Sequence, residues 1–221
     1  MVKNFQRKKI NPLVVLIVLL PLLLSSCADT YYGAMEKVGV HKRDIMVDRV
    51  ENARDAQEDA QEQFQTALEQ FNSVVQLEDS DLKRAYDKLN AEYEASKDIA
   101  ETVSSRIEKV EDVAGALFEE WEEELELYQN KEFRRSSKVK LEKTKTRYRD
   151  MLSSMHRAEK SMEPVLRIFQ DNVLYLKHNL NAQAIGSLKG EFASLKGEIE
   201  RLVKSMNQAI DQSNKFIADI K

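Results

Sequence analysis

From Met46 onward apolar residues recur at alternating spacings of three and four: Met46, Val50, Ala53, Gln57, Ala60, Phe64, Ala67, Phe71 and Val74. This is the seam of a heptad-patterned helix, with one polar member, Gln57, and several alanines that permit close approach of a neighbour. The pattern predicts a first helix over about 35–78, starting between Gly33 and Asp44 and ending near Leu77. Glu78-Asp79-Ser80-Asp81 reads as a turn, with Ser80 or Asp81 as the N-cap of the next helix. A second seam runs through Leu82, Tyr86, Leu89, Tyr93, Ser96, Ala100, Val103, Ile107, Val110, Ala114, Leu117 and Trp121, and Leu125 and Tyr128 carry it on. It predicts a helix over 82–129, roughly 70 Å long at helical rise. Gly115 lies inside it and weakens it by about 1 kcal/mol relative to alanine, too little to end it.

The apolar spacing lapses between Gln129 and Ser137, where Ser136-Ser137 offers a cap for a third helix over 137–179. Its seam is Tyr148, Leu152, Met155, Ala158, Met162, Leu166, Phe169, Val173, Leu176 and Leu180. Pro164 lacks a backbone donor and is expected to kink or divide this helix near Glu163. Asn179-Leu180-Asn181 reads as a turn into a fourth helix over 183–220, with seam residues Ile185, Leu188, Phe192, Leu195, Ile199, Leu202, Met206, Ile210, Ile217 and Ile220. Within it SLKG at Ser187 to Gly190 is echoed at Ser194 to Gly197, a local duplication too short to define a repeat protein. No β-alternation of any length occurs. The expected fold is all-α: long antiparallel helical hairpins joined by short turns into an elongated, coiled-coil-like four-helix bundle. The heptads allow the bundle to close on itself or to require a second copy.

Ahead of these helices the pattern changes. Lys3, Arg7, Lys8 and Lys9 precede an apolar stretch from Pro12 to Leu24, with no acidic residue before Asp29. The stretch spans about 13 residues, short of the roughly 20 a membrane-crossing helix needs, and two serines follow it. Basic start, short apolar run and small residues are the order of a secretory signal. The run Leu24-Ser25-Ser26-Cys27 resembles the lipobox of bacterial lipoproteins. The resemblance implies cleavage after residue 26, a diacylglyceryl group on the Cys27 thiol, and an acyl chain such as palmitate on the new amino terminus. Two or more acyl chains anchor stably where one binds marginally. It divides the chain into a signal peptide, 1–26, and a mature lipid-anchored helical domain, 27–221. In that family aspartate directly after the cysteine retains the protein in the inner membrane. Ala28 stands there, with Asp29 one later, which points to the outer membrane.

Composition agrees with long helices and narrows the chemistry. Three prolines and six glycines in 221 residues leave few breaks. Removing 1–26 takes four basic and no acidic residues from the 34 basic and 38 acidic, so the mature charge is −8. An acidic chain is a poor general binder of nucleic acid. Cys27 is the single cysteine, and once lipidated it leaves no thiol for a disulfide, metal site or nucleophile. His41, His156 and His178 are scattered and show no zinc-ligand spacing; His41 with Asp44 and Asp48 on one helix face reads as solvated charge. There is no phosphate-cradling glycine loop and no catalytic constellation, so neither an enzyme nor a cofactor is expected.

Three features remain as candidates for contact. Six glutamates between Glu119 and Glu126 are followed by a basic run from Lys131 to Arg149, opposed only by Glu132 and Glu142. If the chain reverses between them, the charges neutralise each other and set the hairpin register, or they leave a basic patch at a bundle tip facing phosphate-bearing lipid or an acidic envelope partner. Trp121 lies on the second seam and reads as a core anchor near a bundle end. Tyr31 and Tyr32 suit either a headgroup boundary or the first turn of the bundle.

The stretch YYGAMEKVGVHKRDIMVDRVENARDAQEDAQEQF from Tyr31 to Phe64 resembles the opening of an uncharacterised proteobacterial lipoprotein family, a domain of unknown function. ALFEEWEEEL at Ala116 to Leu125, RRSS at Arg134 to Ser137 and LKHNLNAQAIGSL at Leu176 to Leu188 extend the resemblance over nearly the whole mature chain. It implies a helical, coiled-coil-rich envelope protein and no known activity. The expectation is a non-catalytic periplasmic scaffold or interaction module, held at a membrane through Cys27 and contacting an envelope protein or cell-wall partner. The alternative is a chaperone-like or apolar-ligand-binding protein, with Met151, Met155, Met162 and Met206 lining an adaptable groove.

Overall fold

The computed structural model describes residues 32, 35, 41–76, 82–179 and 182–221. The chain divides into two compact units, Met1–Lys42 and Arg43–Lys221. In the first, Tyr32 is buried, Met35 half-buried and His41 exposed. The signal-peptide segment 1–26, Cys27 and Tyr31 lie outside the described residues, as do the turn at 78–81 and most of the expected helix start between 33 and 40.

Four helices stand among the described residues: α1 (Lys42–Val75), α2 (Leu82–Leu127), α3 (Lys131–His178) and α4 (Ala182–Ile220). Among those residues there is no strand. The heptad seam of α1 is buried at every position from Met46 to Val74, each with zero exposure. Successive helices run antiparallel, and every adjacent pair is bridged across its seam. Gln63 Nε2 donates to Glu92 Oε2 at 2.9 Å between α1 and α2. His156 reaches Glu111 between α3 and α2, and Arg147 pairs with Asp219 at 2.6 Å between α3 and α4. Arg54 donates to Asn214 and Lys221 to Glu51, closing α4 back onto α1. The bundle therefore closes within one chain. Towards the α3–α4 turn, Phe71 meets Phe169 edge-on at 6.0 Å and stacks against Phe192 at 6.2 Å, tying α1 to both α3 and α4.

Three expectations are corrected. The third helix begins at Lys131, six residues before Ser137, because Asn130 caps it. The Asn130 side chain, on extended backbone, accepts from the Glu132 and Phe133 amides at 2.9 and 3.2 Å, satisfying two of the four donors a helix start leaves open. Ser136 and Ser137 lie inside the helix. Second, of the two outcomes expected at Pro164, a kink or a division, the division does not occur: α3 is continuous to His178. Met162 and Val165, at most 2% exposed, hold the helix on its buried side, and Glu163 pairs with Arg167 at 3.0 Å across the proline. Third, Trp121 is half-buried instead of a core anchor. Its Nε1 donates to Ser137 Oγ at 2.8 Å, and the Arg43 guanidinium lies 5.6 Å from its ring centre.

At the other end α3 stops at Asn179, whose amide donates to Leu176 O and whose side chain donates to Tyr175 O. Lys177 and His178 in the last turn oppose the negative end of the helix dipole.

Candidate functional site

The helices differ in length, and the difference creates the most distinctive surface. α1 and α4 span 34 and 39 residues, α2 and α3 span 46 and 48. Arg43 sits over Trp121 and Asp219 pairs with Arg147, so those levels mark where α1 begins and α4 ends. Within Arg43–Lys221, α2 and α3 run on past them as a two-helix hairpin, by on the order of 15 Å at 1.5 Å per residue. The base of the hairpin is a shoulder where Tyr148 meets Phe118 edge-on at 5.3 Å and Phe216 at 6.4 Å. Burial there, reinforced by the Glu111 charge, pushes the Tyr148 hydroxyl up to about 12. Lys145 also lies 5.6 Å over the Phe118 ring.

Beyond that shoulder only Leu125 and Leu141 are buried between 122 and 147. Large apolar side chains face outward instead: Leu127 is 75% exposed, Phe133 64% and Val139 61%, with Tyr128 also open. The acidic and basic runs do come side by side. Glu126 pairs with Arg134, and Glu122 with Lys145. Neutralisation is partial, because Lys131, Arg135, Lys138, Lys140 and Lys143 are exposed and make no ion pair among the described residues. Val139, Arg135, Lys140 and Lys143 line one shallow depression along the outer side of α3.

The opposite end carries a smaller counterpart. Leu174 and Tyr175, on the last turns of α3, are exposed, and Tyr175 lies within 3.4 Å of Ser187 on α4. Along the body, an open groove of about 620 Å³ runs between α2 and α3, floored by Tyr93, Ala100, Ser104, Met162 and Leu166. Lys97, Glu101, Glu163 and Arg167 border it. Of the four methionines expected to form an adaptable groove, Met162 alone borders this one, and all four are buried in the bundle.

His156 bridges two helices, approaching Glu159 at 2.9 Å and Glu111 at 3.3 Å. The bond to Glu159 raises its pKa above the ordinary histidine value, assisted by Glu111 and opposed by burial. Among the described residues no group of three His, Cys, Asp or Glu is placed to hold a metal, and His41, Asp44 and Asp48 form no such group. No helix among those residues is long and apolar enough to cross a membrane.

Sequence reasoning did not single out Phe133, Val139 or Asn130. The signal lay in the lapse of apolar spacing after Gln129: apolar residues off the seam, immediately after an Asn, mark a helix start whose apolar side chains have no partner helix.

These features define a class, the all-α four-helix bundle with a projecting hairpin and outward-facing apolar residues at its ends. The chain belongs to the family described as "Protein of unknown function (DUF2959)", which matches residues 31–220. No curated protein and no solved structure matches it.

Proposed function

We propose that this is a lipid-anchored cell-envelope protein that works without catalysis, as a periplasmic helical scaffold making contacts through the two ends of its bundle. One observation carries the reading. Among the described residues the exposed large apolar side chains are confined to the ends: Leu127, Tyr128, Phe133 and Val139 at the hairpin, Leu174 and Tyr175 at the far end. On α3 the body between Val139 and Leu174 is about 50 Å of helix at helical rise, so the two contact zones are held apart by a stiff spacer. Single exposed apolar residues need no explanation, but their clustering at the ends marks contact sites.

The anchoring half rests on Cys27 and the apolar run before it, and Ala28 after the cysteine favours the outer membrane. Cys27→Ala should move the protein from the membrane fraction to the soluble fraction of a signal-processed preparation; a variant that stays fully membrane-bound would refute anchoring through Cys27. For the scaffold half, Leu174→Asp with Tyr175→Asp should abolish capture of an envelope protein or cell-wall fragment while leaving the unfolding midpoint unchanged. Undiminished capture would refute contact through the far end.

The α2–α3 groove supports a second reading, an elongated apolar ligand or client held between helices. Suppression of client aggregation by the purified protein, lost in Leu166→Asp, would favour it over the scaffold.

A further inference from the structure

We propose that the hairpin formed by α2 and α3 is a membrane-contact element that presses on an anionic phospholipid surface, its apolar apex entering the headgroup layer while the free cations of α3 bind phosphate. The proposal deepens the scaffold reading.

Two observations support it. First, the apex carries Leu127, Tyr128 and Phe133 outward. Apolar side chains, one bearing a polar tip, beside lysines and arginines form the composition that settles at a membrane interface. Second, the charges on the hairpin are segregated. The unpaired carboxylates lie mainly on α2, where Glu122 and Glu126 are engaged by Lys145 and Arg134 while Glu119, Glu123 and Glu124 are exposed, whereas α3 carries Lys131, Arg135, Lys138, Lys140 and Lys143, which make no ion pair among the described residues, against Glu132 and Glu142. Those five are the groups able to exchange water for phosphate.

Charge favours a lipid surface: the unpaired lysines and arginines of α3 lie along one helix with exposed Phe133 and Val139, a combination of phosphate-binding and apolar groups suited to an anionic headgroup layer.

The test uses the full chain with Cys27→Ala and Phe133→Cys, so that one thiol carries a nitrobenzoxadiazole label. The chain is tethered by an amino-terminal histidine tag to vesicles of phosphatidylethanolamine, phosphatidylglycerol and a nickel-chelating lipid. Gln65→Cys, exposed on the side of α1, is the control. The label at 133 should shift to the blue and be quenched by spin-labelled phospholipid, while the label at 65 stays aqueous. Neutralising Lys131, Arg135 and Lys138 to glutamine should weaken the contact by on the order of a hundredfold, about fivefold per charge, with unchanged helical content. If the label at 133 behaves like that at 65, or the triple variant is quenched as strongly as its parent, the proposal is wrong. A disulfide between two copies through Phe133→Cys before vesicles are added would give the surface to a second copy and overturn it too. Artificial tethering makes this outcome independent of lipidation, which the mass of the amino-terminal peptide from native envelopes reports separately.

Discussion

Gln57 occupies a seam position of α1 at zero exposure, and both its amide atoms lack a protein hydrogen-bond partner. An unsatisfied buried polar group costs about 1–3 kcal/mol. Leucine is close in size, and the seam neighbours Ala53 and Ala60 leave the surrounding shape to be filled by residue 57 itself, so the swap is near volume-conserving. Gln57→Leu should therefore stabilise the bundle by about 1–3 kcal/mol. For a chain of this size each kcal/mol raises the thermal midpoint by roughly 2–4 °C. Urea unfolding followed by circular dichroism measures the change directly, and an unchanged slope against denaturant keeps the comparison to one folded state. Gln57→Ala should gain less or lose, because it removes the amide but opens a cavity. A leucine variant less stable than the parent would refute the reasoning and show that the amide contributes to the folded state. The remaining role for so costly a residue is register: one polar seam position penalises helix alignments that misplace it.

Phe71→Ala should cost about 3–5 kcal/mol, since it removes a fully buried ring together with its contacts to Phe169 and Phe192, and denaturant titration reads the loss. Asn130→Ala should cost about 1 kcal/mol through the lost N-cap, with faster hydrogen exchange confined to the first turn of α3. His156 is held protonated by Glu159 first and Glu111 second, against burial, above the ordinary 6.5. Because its folded pKa is raised, its stabilisation is fully present below the unfolded value and is lost as pH rises through the folded value. The stability difference between the parent and His156→Gln should be larger at about pH 5.5 than at about pH 8.5, staying under about 1 kcal/mol because the ring is 45% exposed. An opposite trend would show that His156 does not clamp α3 to α2.

Much of the core was legible because α1 keeps an unbroken three-four spacing of apolar residues, and each of those positions is buried. The fourth helix shows where legibility failed. Its seam continues from Met206 through Ala209, Ser213 and Phe216, all buried, whereas Ile210 lies half-exposed beside it. Small and polar residues carry no apolar signal, yet Ser213 fits the core because its hydroxyl donates to the Ala209 carbonyl one turn back at 2.8 Å. Tyr86, Tyr93, Leu152 and Leu166 are half-buried at their seam positions, while seam neighbours such as Leu89, Ser96, Met162 and Phe169 are buried. The projecting hairpin was the least legible feature. Its existence depends on where α1 begins and α4 ends relative to the α2–α3 turn, a three-dimensional alignment no single segment encodes. Its exposed apolar residues are visible only once the flanking helices are known to stop short.

Contact at the ends of the bundle is the central claim. Photo-crosslinking in intact cells, with a benzoylphenylalanine placed in turn at Phe133, Tyr175, Gln65 and Arg106, tests it most directly. Adducts at 133 and 175, with none at 65 and 106 on the sides, are the predicted result. Adducts from the sides with none from the ends would contradict it.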